Sequence, residues 1–149
     1  MLDRRFLVSA AIFVVVGFSG TQAQQTKALF TAQDYIDITQ LYAAYNNAID
    51  GGYAEKYADL FTPDGAFNDL VGREALVAFV KRRGETTQRH WNANLTITPT
   101  PEGANGTVYL LLVDVAAKPP AIALAASYVD TLVKTSDGWR FKKRHVTGP

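Results

Sequence analysis

The chain has 149 residues, with 15 Lys and Arg, 14 Asp and Glu, two His and no Cys. This length predicts one domain, and 48% hydrophobic with 19% charged residues is typical of a globular protein. A net charge of +1 provides no basic field, so no nucleic-acid partner is expected. The absence of Cys excludes a disulfide framework, a thiolate metal site, an iron–sulfur cluster and a cysteine nucleophile.

Residues 1–23 have the three-part pattern of a secretory signal peptide. Arg4 and Arg5 form a positive start, residues 6–18 are a nearly continuous apolar run, and small residues suit cleavage after Ala23. The apolar run is shorter than the ~20 residues that a spanning helix needs, which favours cleavage over retention as an anchor. We therefore expect export to a periplasm or beyond, and no membrane association of mature residues 24–149.

Helical signals come first in the mature chain. Thr31 and Asp34 form a capping-box pattern, with Asp in the place of Glu. Apolar residues then recur at helical spacing until Gly51-Gly52, which predicts a first helix that ends there. Composition predicts four further elements: a helix over 53–60, a turn over 62–65, a short strand over 66–68 and a helix over 73–83.

From Gln88 onward the apolar period changes to two. Trp91, Ala93, Leu95 and Ile97 alternate with His90, Asn92, Asn94 and Thr96. This alternation predicts a strand with one apolar and one polar face, and it places Asn94 on the same face as His90.

Three more strands are predicted downstream, over 107–117, 121–134 and 139–146. Asn105-Gly106 predicts the turn of a hairpin loop over 99–106. Residues 107–117 are nearly all apolar, which predicts a strand covered on both faces. Helices followed by long antiparallel strands indicate the α+β class, with three N-terminal helices packed on a curved antiparallel sheet and a pocket between the layers.

The order of these motifs resembles the nuclear transport factor 2-like superfamily and, within it, the SnoaL-like branch. The resemblance covers about residues 31–146, and its segments are LYAAY (41–45), IDGG (49–52), LFTPDGAF (60–67), GREAL (72–76), HWNANL (90–95), YVD (128–130) and DGWRFKKR (137–144). It implies that residues 24–149 form a SnoaL-like domain, a cone-shaped, barrel-like roll with an interior pocket. It also implies that this domain forms a homodimer. The resemblance does not imply a function, since members of this superfamily include isomerases, dehydratases, cyclases, dehydrochlorinases and non-enzymatic modules.

The catalytic pattern is similar to that of scytalone dehydratase and hexachlorocyclohexane dehydrochlorinase. The resemblance assigns a catalytic His to His90, an orienting Asp to Asp50 and a pocket arginine to Arg144. Two departures stand beside it. Ile49 occupies the position of a Tyr in the scytalone enzyme, and the 107–117 strand has no second His.

A His–Asp pair suits proton transfer because imidazole titrates near neutrality and a carboxylate fixes its tautomer. The chain has no Gly-x-Ser-x-Gly and no Cys, which disfavours acyl-enzyme chemistry. Proton abstraction from carbon, followed by loss of water or halide or by double-bond migration, fits better. Four further residues are expected to bind substrate: Tyr45, Asn94, Phe67 and Tyr128.

Structural interpretations compete at each of these positions. His90 can be an ordinary hydrogen-bonded residue, and Asp50 can be a turn residue, although an acid at a helix C-terminus is unfavourable. Arg144 stands in the run Lys142–Lys143–Arg144, which is typical of a solvated edge, and His145 is expected to point the opposite way from it.

Three hypotheses therefore remain: an exported lyase or isomerase, a non-catalytic module that binds a small hydrophobic ligand, and a structural dimer whose pocket its own side chains fill. A small molecule is the expected partner in the first two. No phosphate-cradling or dinucleotide glycine motif and no His-Glu-x-x-His motif is present, so neither a cofactor nor a metal is expected. The apolar face of the first long strand would permit the homodimer that the resemblance implies.

Overall fold

The computed structural model describes residues 30–148, so the predicted signal peptide lies outside the described residues. The helices are α1 (Ala32–Asp50), α2 (Ala54–Ala58) and α3 (Arg73–Arg83). The strands are β1 (Phe61–Phe67), β2 (Leu70–Val71), β3 (Gln88–Thr100), β4 (Gly103–Asp114), β5 (Ala121–Thr135) and β6 (Gly138–Thr147). They form one curved, open sheet in the order β2-β1-β6-β5-β4-β3. The helices pack on this sheet, which confirms the predicted α+β class. No helix within residues 30–148 is long and apolar enough to cross a membrane.

The first helix begins and ends where the sequence predicts. The Thr31 side chain accepts from the Asp34 N–H, and the Asp34 carboxylate accepts from the Thr31 N–H, which completes the capping box. Asp34 also accepts from Lys134 Nζ at 2.7 Å and from the Trp139 indole at 2.9 Å, so the start of α1 is tied to β5 and β6. These hydrogen bonds, of which that from Lys134 has the largest effect, hold the pKa of the buried Asp34 carboxyl well below its usual range.

The predicted turn over 62–65 lies inside strand β1. Phe61 pairs with Phe141 and Ala66 with Lys143, so several residues of β1 stand opposite a shorter stretch of β6. The Thr-Pro-Asp-Gly segment is therefore an irregular, looped-out part of a strand. The β1–β6 pairing is parallel, whereas β3, β4, β5 and β6 pair in antiparallel fashion as predicted.

The predicted Asn105-Gly106 turn is wrong. The β3–β4 turn lies at residues 101–102, and Asn105 pairs with Thr98 inside the hairpin. Gly106 serves packing instead, because a Cβ at this position would come within 2.1 Å of the Tyr42 hydroxyl. The glycine thus permits the close approach of α1 to β4.

A bulge in β3 overturns the predicted continuous apolar face. The β3–β4 register shifts between Ala93 and Thr96, and Asn94 within the shift has φ of 57°. His90 is buried and Trp91 is 57% exposed before the bulge, whereas Leu95 and Ile97 pack against the core after it. One extra residue inverts the phase of the alternation.

Strand β4 is covered on one face only, which corrects the second strand prediction. Val108 and Leu110 are buried, but Tyr109 between them is 60% exposed. Tyr109 pairs with Ala93 and Ser127, and Trp91 lies on the same outer face of the sheet. This outer face therefore presents large apolar side chains.

Candidate functional site

Asp50 and His90 are brought together, as the resemblance implies. Asp50 is the last residue of α1, and His90 lies near the start of β3. The Asp50 carboxylate is 2.5 Å from His90 Nδ1 through Oδ1, and it accepts from the His90 backbone N–H at 3.0 Å through Oδ2. One carboxylate therefore orients both the ring and the backbone of His90, which is only 8% exposed.

Asn46, one helical turn before Asp50, completes this arrangement. Strand β3 is an edge strand, so polar groups on its outer side have no strand partner. Asn46 Nδ2 donates to the His90 carbonyl at 3.3 Å, while Asp50 accepts from its N–H. Side chains four positions apart lie on one face of a helix, so α1 holds both backbone polar groups of His90. Sequence reasoning missed Asn46, although its spacing from Asp50 is a usable signal.

The geometry assigns different roles to the two ring nitrogens of His90. An ionised carboxylate can only accept, so the tautomer that satisfies it carries the proton on Nδ1. Nε2 has no hydrogen-bond partner among residues 30–148. This is the nitrogen that remains for proton transfer.

Arg144 is fully buried, so the interpretation of its run as a solvated edge is wrong at this position. Its Nε and Nη2 donate to the two oxygens of Asp130 at 2.8 and 2.7 Å, and the Tyr42 hydroxyl donates to Asp130 at 2.5 Å. The guanidinium carbon lies 4.1–4.6 Å from four ring centroids, those of Tyr42, Tyr45, Tyr128 and Phe141. Arg144 Nη1 has no hydrogen-bond partner among the described residues. His145 points to the exposed side, as predicted.

Charge states in this cluster follow from burial and pairing. Burial lowers the pKa of Arg144, but the hydrogen bonds and charge of Asp130 outweigh it, and the pKa stays above its ordinary value. Burial raises the pKa of Tyr45 well above its ordinary value. Burial and then the Asp130 charge raise that of Tyr42. The site thus contains a permanent cation among neutral hydroxyls.

Tyr45 connects the two parts of the site. Its ring centroid lies 6.4 Å from that of His90 in an edge arrangement and 4.1 Å from the Arg144 guanidinium carbon. It is 5.8 Å from the Tyr128 centroid, and its hydroxyl is 3.2 Å from that of Tyr57. The proposed residues His90, Tyr45, Tyr128 and Arg144 therefore share one region of the interior.

Phe67 borders this region through its pairing with Arg144, whereas Asn94 lies outside it. Phe67 pairs with Arg144 across β1 and β6, and its ring packs on Phe79 of α3 at 5.2 Å. Asn94 lies in the β3 bulge, where it is exposed and lines a groove between α1 and β3 together with Asn46 and Asn92.

Sequence reasoning also missed Asp130 as a site residue. Two positions after Tyr128 on a strand, it must point the same way, and a buried carboxylate needs a cation. Asp130 pairs directly with Arg144 across β5 and β6, which supplies that cation. Their pair and its rings occupy the interior between α1 and the sheet, where the resemblance implies a ligand pocket. Within residues 30–148, no group of three or more His, Cys, Asp or Glu side chains is placed to hold a metal.

Comparison with known proteins identifies the family. The model of the family described as the SnoaL-like domain matches residues 31–145. The chain belongs to the SnoaL-like domain family. No protein with a curated description matches the sequence of this SnoaL-like protein.

Solved structures confirm the nuclear transport factor 2-like fold. An NTF2-like protein with a cystatin-like fold from Novosphingobium aromaticivorans is 21% identical, with a TM-score of 0.69 over 76% of this chain and 80% of that one. A Catenulispora acidiphila protein in complex with S-DNPA is 26% identical, with a TM-score of 0.67 over 78% and 95%. A second N. aromaticivorans protein, provisionally named scytalone dehydratase, is 25% identical, with a TM-score of 0.63 over 76% and 83%.

Proposed function

We propose that this SnoaL-like protein is a cofactor-independent lyase or isomerase in which His90 takes a proton from carbon. The observation that carries the proposal is the 2.5 Å contact between Asp50 and His90 Nδ1, which leaves Nε2 as the base. Nε2 accepts the proton, and the C–H electron pair forms a double bond. That step expels hydroxide or halide from the neighbouring carbon, or it ends with return of the proton at another carbon.

The rest of the cluster favours the charges that this step creates. The Asp50 carboxylate stabilises the imidazolium, as in the orienting half of a catalytic triad. Negative charge develops on the substrate, and Arg144 beside Tyr45 acts on it as part of its ion pair with Asp130, that is, as an oriented dipole of the low-dielectric interior. Apolar rings, including Tyr128 and Phe67, suit a small apolar substrate. The similar Catenulispora acidiphila structure, which holds a small molecule, supports ligand binding by this fold.

A deuterium-exchange assay tests the base directly. The protein is incubated in D₂O with 2-indanone, an apolar ketone with an acidic α C–H, and deuterium incorporation is followed by mass spectrometry. General bases contribute about 10²–10⁴-fold, so His90→Gln should lower the accelerated rate at least 100-fold. The matched control is His145→Gln, because His145 is the other histidine of the chain and is exposed. An unchanged rate in His90→Gln would overturn the proposed base.

A binding module is the second candidate function. Its specific support is that the 107–117 strand has no second His. The interior packing of Arg144 among four rings instead favours the structural dimer, whose pocket its own side chains fill. Ile49 at the position of a Tyr also removes one polar group of the scytalone pattern. Saturable binding of 2-indanone without acceleration of its exchange would favour this candidate.

Export and dimerisation are parts of the proposal with separate support. The pattern of residues 1–23 supports export to a periplasm or to the medium. N-terminal sequencing of the exported protein should give Gln24 as the first residue. The apolar outer face with Trp91 and Tyr109 supports a homodimer. Sedimentation should show a dimer that Trp91→Glu dissociates.

A further inference from the structure

A row of cross-strand neighbours extends from His90 over the inner face of the sheet. Leu112 of β4 pairs with His90 of β3, and Leu124 of β5 pairs with Leu112. Residues directly opposite each other on antiparallel strands point to the same face, with Cβ atoms about 4.5–5.5 Å apart. His90, Leu112 and Leu124 therefore form one continuous row on the face that carries the core. We call this row the open shelf.

The helices cover the sheet only as far as the open shelf. One row deeper, Leu110 is 2% exposed and its β5 partner Ala126 is 7% exposed. Within the shelf, Leu124 is 43% exposed, although strand alternation points it to the same face as Ala126. No part of the chain within residues 30–148 therefore packs over Leu124, and the inner face of the sheet is open to solvent beside His90.

The unpaired nitrogen of His90 is in contact with solvent. Among the described residues, the unpaired side-chain atoms that solvent does not reach are Arg83 Nη2, Asn92 Oδ1 and Arg144 Nη1. His90 Nε2 is unpaired too but is not one of them, so it keeps accessible surface. Nδ1 points to Asp50 at the free edge of β3, and the two ring nitrogens point apart. Nε2 is thus directed away from that edge.

The interior next to the open shelf is filled by protein. Tyr45, whose ring lies edge-on to that of His90 at 6.4 Å, is fully buried, and so are Tyr128 and Arg144. The guanidinium of Arg144 packs among four rings there. A substrate of His90 therefore approaches from the open shelf and not from the space between α1 and the sheet.

The groups along this surface favour an uncharged, apolar ligand. Two leucines line the shelf, and the next row outward contains Asp114 opposite Gln88. The backbone N–H of Ala116 donates to the Asp114 carboxylate at 3.0 Å, which lowers the pKa of Asp114 and keeps it charged at neutral pH. An anion at the end of an apolar surface repels ligands that carry a negative charge.

We propose that the open shelf binds the apolar part of an uncharged carbon acid, with Leu124 as the residue that determines specificity. The catalytic meaning of this surface rests on the proposed function, in which His90 removes the proton. Binding to the shelf is measured separately from that reaction, so the two proposals can fail independently.

Nuclear magnetic resonance of the protein with ¹³C-labelled leucine methyl groups tests the binding. The probes are 2-indanone, which is uncharged, and phenylpyruvate, an apolar ketone that carries a carboxylate. We expect saturable shifts of the Leu112 and Leu124 methyl signals with 2-indanone, and an affinity lower by about tenfold or more for phenylpyruvate. The methyl signals of Leu132, buried deeper on β5, should not move. No saturable shift at the shelf, equal shifts at Leu132, or equal affinity for the two probes would overturn the proposal.

A variant of the shelf links binding to the reaction. Leu124→Asn should weaken binding of 2-indanone about tenfold and raise the KM of its deuterium exchange to the same extent, because it removes apolar contact area. The matched control is Val71→Asn, since Val71 is 62% exposed on β2 at the opposite edge of the sheet.

The outcomes separate the shelf from the base. Binding at Leu112 and Leu124 without exchange would support the shelf and refute His90 as the base. Exchange with an unchanged KM in Leu124→Asn would overturn the shelf and leave the base in place. The comparison of probes uses the unaltered protein, so it decides the question even if Leu124→Asn does not fold.

Discussion

Replacement of Asp130 by Asn should destabilise the protein through the loss of one charge. Both Arg144 and Asp130 have fully buried side chains, and two bonds of 2.8 and 2.7 Å join them. Asn keeps the shape and one acceptor oxygen, but it leaves the guanidinium buried without a counter-charge. Removal of one partner from a buried ion pair costs about 3–5 kcal/mol. A domain has about 5–15 kcal/mol in total, so this loss is a large fraction of it.

A double-mutant cycle in urea measures the effect, with unfolding followed by fluorescence of the buried Trp139. Asp130→Asn, Asp130→Leu and Arg144→Met should each lower the free energy of unfolding by about 3–5 kcal/mol. The variant with both Arg144→Met and Asp130→Leu should lose clearly less than the sum of the losses in Arg144→Met and Asp130→Leu alone, because no unpaired charge remains. Lys142→Met is the control: Lys142 lies on β6, the strand of Arg144, and pairs with exposed Asp64 of β1, and such exposed pairs contribute about 0–1 kcal/mol.

The reasoning would be refuted by a loss below about 1 kcal/mol in Asp130→Asn. Additive losses in the cycle would refute it equally, since they would mean that the two side chains act independently. Either result would place the guanidinium in contact with water or with another anion.

Three further predictions concern other parts of the fold. The pKa of Asp34 is lowered, chiefly by Lys134, so its stabilisation is present at neutral pH and is lost as pH falls below its ordinary value of about 4. The stability gap between the protein and Asp34→Asn should therefore shrink below pH ~4 in urea titrations, and a constant gap would contradict this. Gly106→Ala should cost about 1–3 kcal/mol by thermal unfolding, because its Cβ would meet a buried tyrosine hydroxyl at 2.1 Å; an unchanged melting temperature would refute that contact. Asn46→Ala should slow base-dependent deuterium exchange about tenfold or more, and Asn47→Ala, its exposed neighbour, should not; equal rates would remove Asn46 from the site.

The helices were predictable because their signals are local. The capping box of Thr31 and the glycines after Asp50 lie within the segment that they delimit, and α1 begins and ends there. The third helix covers 73–83 as predicted, and the long strands were found within a few residues. Such signals act between neighbours in the chain, so no knowledge of distant contacts is needed.

The errors share one physical origin. Asn105-Gly106 has the composition of a turn, yet Gly106 is a glycine because Tyr42 of α1 approaches it from another part of the chain. The β3 bulge at Asn94 changes which residues face the core, and the alternating sequence pattern does not predict this bulge. Both features depend on partners that the local sequence does not contain.

The site divides in the same way. Residue types and family resemblance were enough to pair His90 with Asp50, since each carries chemistry that the other completes. The burial of Arg144 could not be foreseen from Lys142–Lys143–Arg144, because only the inward turn of that one position on β6 and the opposing Asp130 on β5 make a buried cation tolerable. Asn46 joins the site only because α1 lies along the free edge of β3. The sequence determines which chemical groups the side chains carry. The tertiary structure determines how those groups are solvated and which partners they contact, because it decides which segments pack together.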